Sequence, residues 1–396
     1  MKKGWEKKKI ADICTIERGG SPRPIKKYLT NDEKGINWIK IGDTDPQGKY
    51  IYSTAEKIIP EGLKRSRWVD VDEFLLSNSM SFGRPYILKT NGCIHDGWLV
   101  LRKYQEHLNI DFFYYLLSSP LVQRQFKTKA QGSTVSNLNT QRVSDVTVYI
   151  PPLSEQKEIV EYLDSSFAKI DKLKENAAKN LEEAKALFQS ALKDALEPKE
   201  GWEEKTLKEI GITQTGTTPS KSDSANYGNY MEFIRPSEID FNGMGGINYN
   251  CELKLSEQGA SNGRVFEEKS ILMVCIGATI GKVGFSNKKI SCNQQINVLT
   301  PSSEYDYKFV YYSMKSPRFQ KMVIKEGTSS QATLPIINKG KWEKLTVQVP
   351  SLQEQQSIVS FLDSLSEKLN TLQQNYSRIC DECDALKQAI LRQVFE

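Results

Sequence analysis

The chain has 396 residues, and His95, His107 and seven cysteines are its whole supply of imidazole and thiol. So few histidines leave little room for acid–base work by imidazole. Cys380 and Cys383 form a lone C-x-x-C. No second pair or nearby His completes a zinc set, and the surrounding pattern is helical, so buried thiols on a helix face are the plainer reading. "GATIGK" from Gly277 superficially suggests a phosphate loop, but it lacks the G-x-x-x-x-G-K-[ST] spacing and Val283 follows the Lys. Methylation of a base amino group would call for an N/D-P-P-Y/F motif. The one Pro-Pro, in "IPPL", instead opens a helix after an aliphatic residue. H-E-x-x-H and G-x-S-x-G do not occur. The remaining chemistry is that of recognition.

Polar loops supply it. "ERGGSPRPIKK" from Glu17 offers Arg18, Ser21, Arg23, Lys26 and Lys27 beside flexible glycines. "QTGTTPSKS" from Gln214 offers Thr217, Thr218, Ser220 and Lys221. "AQGSTVSNLNTQ" and "EGTSSQATLP" are rich in hydroxyls and amides. Ser, Thr, Asn and Gln contact phosphates, while Arg, Asn and Gln also read base edges bidentately. Ordinary solvated turns have the same composition. His95, in "CIHDGW", suits either a structural bond to Asp96 or backbone, or a DNA contact.

Charge is patterned. Lys and Arg exceed Asp and Glu by 8 over residues 1–150 and by 3 over 198–348, and fall short by 3 over each of 151–197 and 349–396. Basic surface attracts phosphate backbones.

The elements that carry these loops are written twice. "IPPLSEQKEIVEYLD" at Ile150 and "VPSLQEQQSIVSFLD" at Val349 share eight of fifteen residues. "GWEKKKIADI" at Gly4 returns as "GWEEKTLKEI" at Gly201, "INWIKIGDTD" at Ile36 as "MEFIRPSEID" at Met231, and "FFYYLLSSP" at Phe112 as "FVYYSMKSP" at Phe309. The offsets are 199, 197, 195 and 197. Landmarks in one order at nearly one offset indicate a domain duplication, not a solenoid.

Short β-rich runs punctuated by Gly, Pro, Asn and Ser make the globular parts α+β. Each is followed by a long helix. In the second copy Ile358, Leu362, Leu365, Leu369, Leu372, Tyr376, Ile379, Cys383, Leu386 and Ile390 step by four and three, a coiled-coil seam, with Ser351 and Glu354 placed for a capping box. The first copy gives Ile159, Leu163, Ile170, Leu173, Ala177, Ala184, Leu187 and Ala191. Each helix runs about 43 residues, or roughly 65 Å. Pairing within the chain requires the helices to be antiparallel; pairing between chains is the alternative. The expected organisation is 1–150 as a first recognition domain, 151–197 as a spacer helix, 198–348 as a second recognition domain and 349–396 as a second spacer helix. The longest apolar stretch, "ILMVCIGATIG" from Ile271, is short of the ~20 residues of a membrane span. No apolar run follows the basic start, so a cytoplasmic protein is expected.

In combination, "PPLSEQKEIVEYLD", "PSLQEQQSIVSFLD", "SMSFGRPYI", "GATIGKVG", "CNQQINVL", "GGSPRP" and "GTTPSK" resemble elements of type I restriction–modification specificity subunits. The resemblance covers the whole chain. It implies two target recognition domains separated by two long antiparallel coiled-coil helices, each domain reading half of a bipartite site in double-stranded DNA. It implies a non-catalytic subunit that docks two modification subunits through its helices, with Glu155, Gln156, Leu163, Glu354, Gln355 and Leu362 as candidate residues there. S-adenosylmethionine and adenine-N6 methylation belong to those partners, and ATP to restriction subunits in the full complex; the chain itself would hold no cofactor or metal. Base-reading residues vary within the family, so the DNA contacts expected here rest on chemistry and loop position. They are Arg18, Ser21, Arg23, Lys26, Arg84, Tyr86 and His95 in the first domain, and Thr217, Thr218, Ser220, Lys221, Lys282, Asn293 and Gln295 in the second. Competing readings are a specificity subunit serving a fused methyltransferase–nuclease, a stand-alone DNA-modifying enzyme, and a coiled-coil protein with no DNA role.

Overall fold

The computed structural model describes residues 4–46, 48–78, 83–102, 104, 107–130, 138–239, 246–328 and 335–396. The chain divides into two units, Met1–Glu175 with Arg378–Glu396, and Asn176–Ser377. The division falls inside both long helices, Leu153–Ala195 and Leu352–Phe395.

In the first unit, strand Glu6–Lys9 pairs antiparallel with Thr147–Ile150, the segment that leads into the first long helix. Two five-stranded sheets follow. One runs Leu29–Thr30, Glu56–Ile58, Ile36–Ile39, Gly92–Ile94, Arg67–Val69; the other runs Thr15–Arg18, Trp98–Arg102, Phe74–Ser77, Pro85–Leu88, Tyr50–Ile51. The second sheet is buried on both faces, and its alternation shows why. Phe74, Leu76, Ile87, Leu99 and Leu101 face the helices Ile110–Ser118 and Pro120–Ala130, while Leu75, Tyr86, Trp98 and Val100 pack with Ile39, Val69 and Ile94 of the first sheet. Strands with a core on each face read as continuous apolar runs, as "FLL" and "WLVL" do.

The second unit repeats this plan. Glu203–Thr206 pairs with Thr346–Val349. The sheets are four-stranded: Gly211–Thr215, Ile296–Pro301, Ile271–Val274, Val283–Phe285, and Lys254–Leu255, Tyr227–Ile234, Ile290–Cys292, Val265–Phe266. Ile271, Met273 and Leu299 join the helix-side core, and Leu272, Val274 and Val298 the core between the sheets.

Each unit ties down parts of both long helices. In the first, Leu163, Leu391, Val394 and Phe395 enter the helix-side core, and the Phe112 and Phe395 rings lie 5.6 Å apart. Lys174 pairs with Asp384 at 2.6 Å and Lys387 with Asp171 at 2.5 Å. The numbers rise on one helix as they fall on the other, so the two segments run antiparallel and pair within the chain. In the second unit Leu192 and Leu196 share a core with Ile358, Val359 and Leu362.

The heptad reading of the seam holds on the second helix from Ile358 to Cys383, where each expected position is buried or half-buried, and needs correction on the first. Leu173, Leu187 and Leu386 are exposed, and the buried apolar positions on the first helix are Leu163, Ile170, Leu181 and Leu192. The last two intervals are eleven residues, the spacing of a nearly straight helix, from which a strict seven-residue repeat drifts away. Ser351 Oγ accepts from Glu354 N at 3.4 Å, one arm of the expected capping box; the Glu354 carboxylate turns to Lys199 instead. Cys383 is buried and Cys380 half-buried, both as free thiols.

Candidate nucleic-acid interface

In both units one short turn carries the chain from one sheet to the other. His95–Gly97 joins Gly92–Ile94 to Trp98–Arg102, and Asn293–Gln295 joins Ile290–Cys292 to Ile296–Pro301. The polar loop after the first sheet strand lies against this turn. Gly19 N donates to Trp98 O and Gly20 N to Ile94 O; Gly216 N donates to Ile296 O and Thr217 N to Cys292 O. A Cβ on Gly19 would meet His95 O at 2.1 Å, and one on Gly216 would meet Asn293 O at 2.1 Å, so only glycine permits the approach.

Side chains then bridge loop and turn. Ser21 Oγ donates to Asp96 Oδ1 at 2.6 Å, and at the same place Thr218 Oγ1 donates to Gln294 Oε1. Arg23 reaches Asp96 Oδ2 at 3.3 Å, Arg18 Nε donates to Asp96 O, and Asn78 Nδ2 donates to the same carbonyl. The Ser21 hydroxyl holds the Asp96 carboxyl below its usual range, helped by His95 and Arg23. Arg67 Nε donates to Arg18 O, and Arg264 donates to Thr215 O at 2.6 Å, each closing the end of its strand.

His95 is partly structural. Its ring packs between Trp38 and Trp98, with centroids 6.3 and 6.1 Å away, and its nitrogens face the N–H groups of Ile41 and Gly97. A neutral ring accepts at one nitrogen and a protonated ring at neither. Burial accordingly pushes the His95 pKa down, against the opposing pull of Asp96 and Asp43. Ser21, Arg23, Trp38, Ile41 and His95 line a cleft of about 900 Å³. Lys26 stands exposed on the turn Ile25–Lys27 beside it.

The structure therefore brings Arg18, Ser21, Arg23, Lys26 and His95 together, and in the second unit Thr217, Thr218, Asn293 and Gln295, with Ser220 and Lys221 exposed on the same loop. Asn293 Nδ2 donates to Gln295 Oε1 at 2.9 Å, so these two amides bind each other. Thr217 Oγ1 is buried without a partner among the described residues.

Other expected contacts lie elsewhere. Tyr86 is 1% exposed and packs edge-on against Trp98 between the sheets, which removes it from any DNA surface. Arg84 lies over the Tyr86 ring and lines a separate cleft with Tyr114, Lys127 and Lys387. Lys282 holds the place of Arg84 in the second unit, following Gly281 as Arg84 follows Gly83. Most of "AQGSTVSNLNTQ", the middle of "EGTSSQATLP" and the start of "SMSFGRPYI" lie outside the described residues.

The helix residues expected to dock partners are engaged at home. Gln156, Gln355, Leu163 and Leu362 are buried; Glu155 accepts from Trp5 Nε1 and Glu354 pairs with Lys199. Their side chains fasten each helix to its own unit. Sequence reading missed Asp96, Gln294, Arg67 and Arg264. The matched loops could have pointed to the first two, since both occupy the residue after His95 or Asn293.

The model of the type I restriction modification DNA specificity domain matches twice, over residues 2–183 and 199–379. The chain belongs to this family. As a member it is a type I specificity subunit whose function is DNA sequence recognition. It is 34% identical over 153 residues to the HindI specificity subunit of Haemophilus influenzae, covering 38% of this chain and 32% of that one. It is 23% identical to the EcoBI specificity subunit of Escherichia coli, covering 99% and 85%. A solved chain from a study of complex assembly and conformational transition in a type I system superposes with a TM-score of 0.75 at 18% identity, covering 100% of this chain and 98% of that one. The HsdS subunit of Thermoanaerobacter tengcongensis gives 0.56 at 18% identity, covering 100% and 97%. These likenesses share the specificity-subunit fold. Among the described residues no helix is long and apolar enough to cross a membrane, and no cluster of three His, Cys, Asp or Glu could hold a metal ion.

Proposed function

We propose that each unit of this specificity subunit reads one half of a bipartite double-stranded DNA site through its sheet-changing turn and the loop against it. The observation that carries this is the duplicated bridge, Ser21 to Asp96 and Thr218 to Gln294. Two polar surfaces of like construction, differing in side chains, suit two half-sites of differing sequence. The recognition domains are residues 1–150 and 198–348, with 151–197 and 349–396 as spacers. The acidic spacers favour protein docking over DNA contact, and two modification subunits fit a duplicated chain. Those partners would hold S-adenosylmethionine and methylate adenine N6. Restriction subunits joining them would use ATP, in the cytoplasm. This chain's part is recognition, without catalysis.

The test is reconstitution with a modification subunit from the same source. The complex should retain a duplex bearing both half-sites and lose it when either is scrambled. Equal retention of unrelated duplexes at physiological salt would overturn the reading.

A further inference from the structure

The two bridges are alike in position and different in chemistry. In the first unit the turn presents Asp96, its side chain 41% exposed, with Arg23, its side chain 80% exposed, on Oδ2. In the second unit the matched residues are Gln294, exposed at the tip of the turn, and Ser220. A hydroxyl from the neighbouring loop residue fixes each turn side chain, Ser21 on Asp96 and Thr218 on Gln294. One accepted hydrogen bond leaves each oxygen a second lone pair. The flanking Asn293 and Gln295 amides bind each other, which leaves Gln294 as the outward amide of its turn.

Resting on the function proposed above, we infer that Asp96 and Gln294 are matched base-reading positions, selecting a G·C pair in one half-site and an A·T pair in the other. A carboxylate accepts from cytosine N4, and an adjacent arginine fork donates to guanine O6 and N7, so Arg23 and Asp96 together cover both edges of one G·C pair. A glutamine accepts from adenine N6 through Oε1 and donates to adenine N7 through Nε2. Asp96 has no donor for adenine N7, and Gln294 lacks the arginine fork for guanine O6 and N7, so each suits its own base pair better than the other's.

The experiment selects bound duplexes from a library randomised in both half-sites, using the full chain assembled with its modification partner. Wild type should fix a G·C pair in one half-site and an A·T pair in the other. Gln294→Ala should relax the A·T position on the order of 10-fold and leave the other half-site unchanged. The double variant Arg23→Ser, Asp96→Gln should move the G·C position towards A·T. Neither variant should alter the salt dependence, because neither loses a phosphate contact. Gln294 is exposed, so its truncation keeps the fold and decides the matter alone if the double variant does not assemble. A wild-type motif selected unchanged by Gln294→Ala overturns this inference and leaves the proposed function standing. A wild-type complex that selects no motif overturns both.

Discussion

Gln156 Oε1 accepts from Asn109 N at 2.8 Å, across 47 residues, and its Nε2 donates to Pro151 O and His107 O. The second unit repeats the bond: Gln355 Oε1 accepts from Asp306 N at 2.9 Å, and Nε2 donates to Pro350 O. Asn109 and Asp306 cap the helices Ile110–Ser118 and Tyr307–Lys315. One buried amide thus fixes the start of the long helix to the cap of another helix. This is the physical content of the repeated "EQ". Gln156→Ala or Gln355→Ala strands a buried donor and acceptor and should cost about 1–3 kcal/mol each. Urea unfolding of the chain should show this loss; a shift under a few tenths of a kcal/mol would mean the clamp carries no weight.

The ends of the helices offer a contrast. Lys387 pairs with an exposed Asp171, and Leu391 is 3% exposed in the first unit's core. Lys387→Ala should cost about 1 kcal/mol, because the Asp171 end of the pair is solvated and the ion pair contributes little. Leu391→Ala should cost about 2–5 kcal/mol. Denaturation of the two variants side by side checks the order; equal losses would contradict it.

Stability should depend on pH through His95. Burial lowers its pKa from the ordinary 6.5, so the folded state favours the neutral ring. The stabilisation is complete above 6.5 and is lost as pH falls through the lowered folded value. His95→Asn installs the second unit's Asn293 chemistry and should flatten the fall in melting temperature that wild type shows as pH drops below 6.5. The same slope in wild type and variant would show that His95 does not titrate in this window.

Phosphate contacts should separate from base contacts. Lys221 is exposed on the loop beside Thr218. Lys221→Ala should weaken binding about equally on all sequences and lower the salt slope by ~1. A sequence-dependent loss would make Lys221 a base reader.

Much of this was legible from the chain. The offsets announced the duplication, and the helix openings marked Leu153 and Leu352 closely, because local periodicity and capping are written in neighbouring residues. The loops at Glu17 and Gln214 were correctly matched, since equal position in a repeat implies equal position in the fold. Sheet order was not legible, and so Tyr86 read as a polar contact when it lies between two sheets. The bond from Ser21 to Asp96 spans 75 residues and needs the sheet crossing to exist first. Gln156 stood in plain view, but a glutamine on a helix reads as solvated until its partners are placed.

The central claim is that two duplicated surfaces read two half-sites for a methylating complex. It is tested most directly by mapping methylated adenine across the source genome with and without this gene. The account predicts a motif of two short half-sites around an unspecified gap, methylated only when the gene is present. An identical methylation map in both strains, with the modification partner expressed, would contradict it.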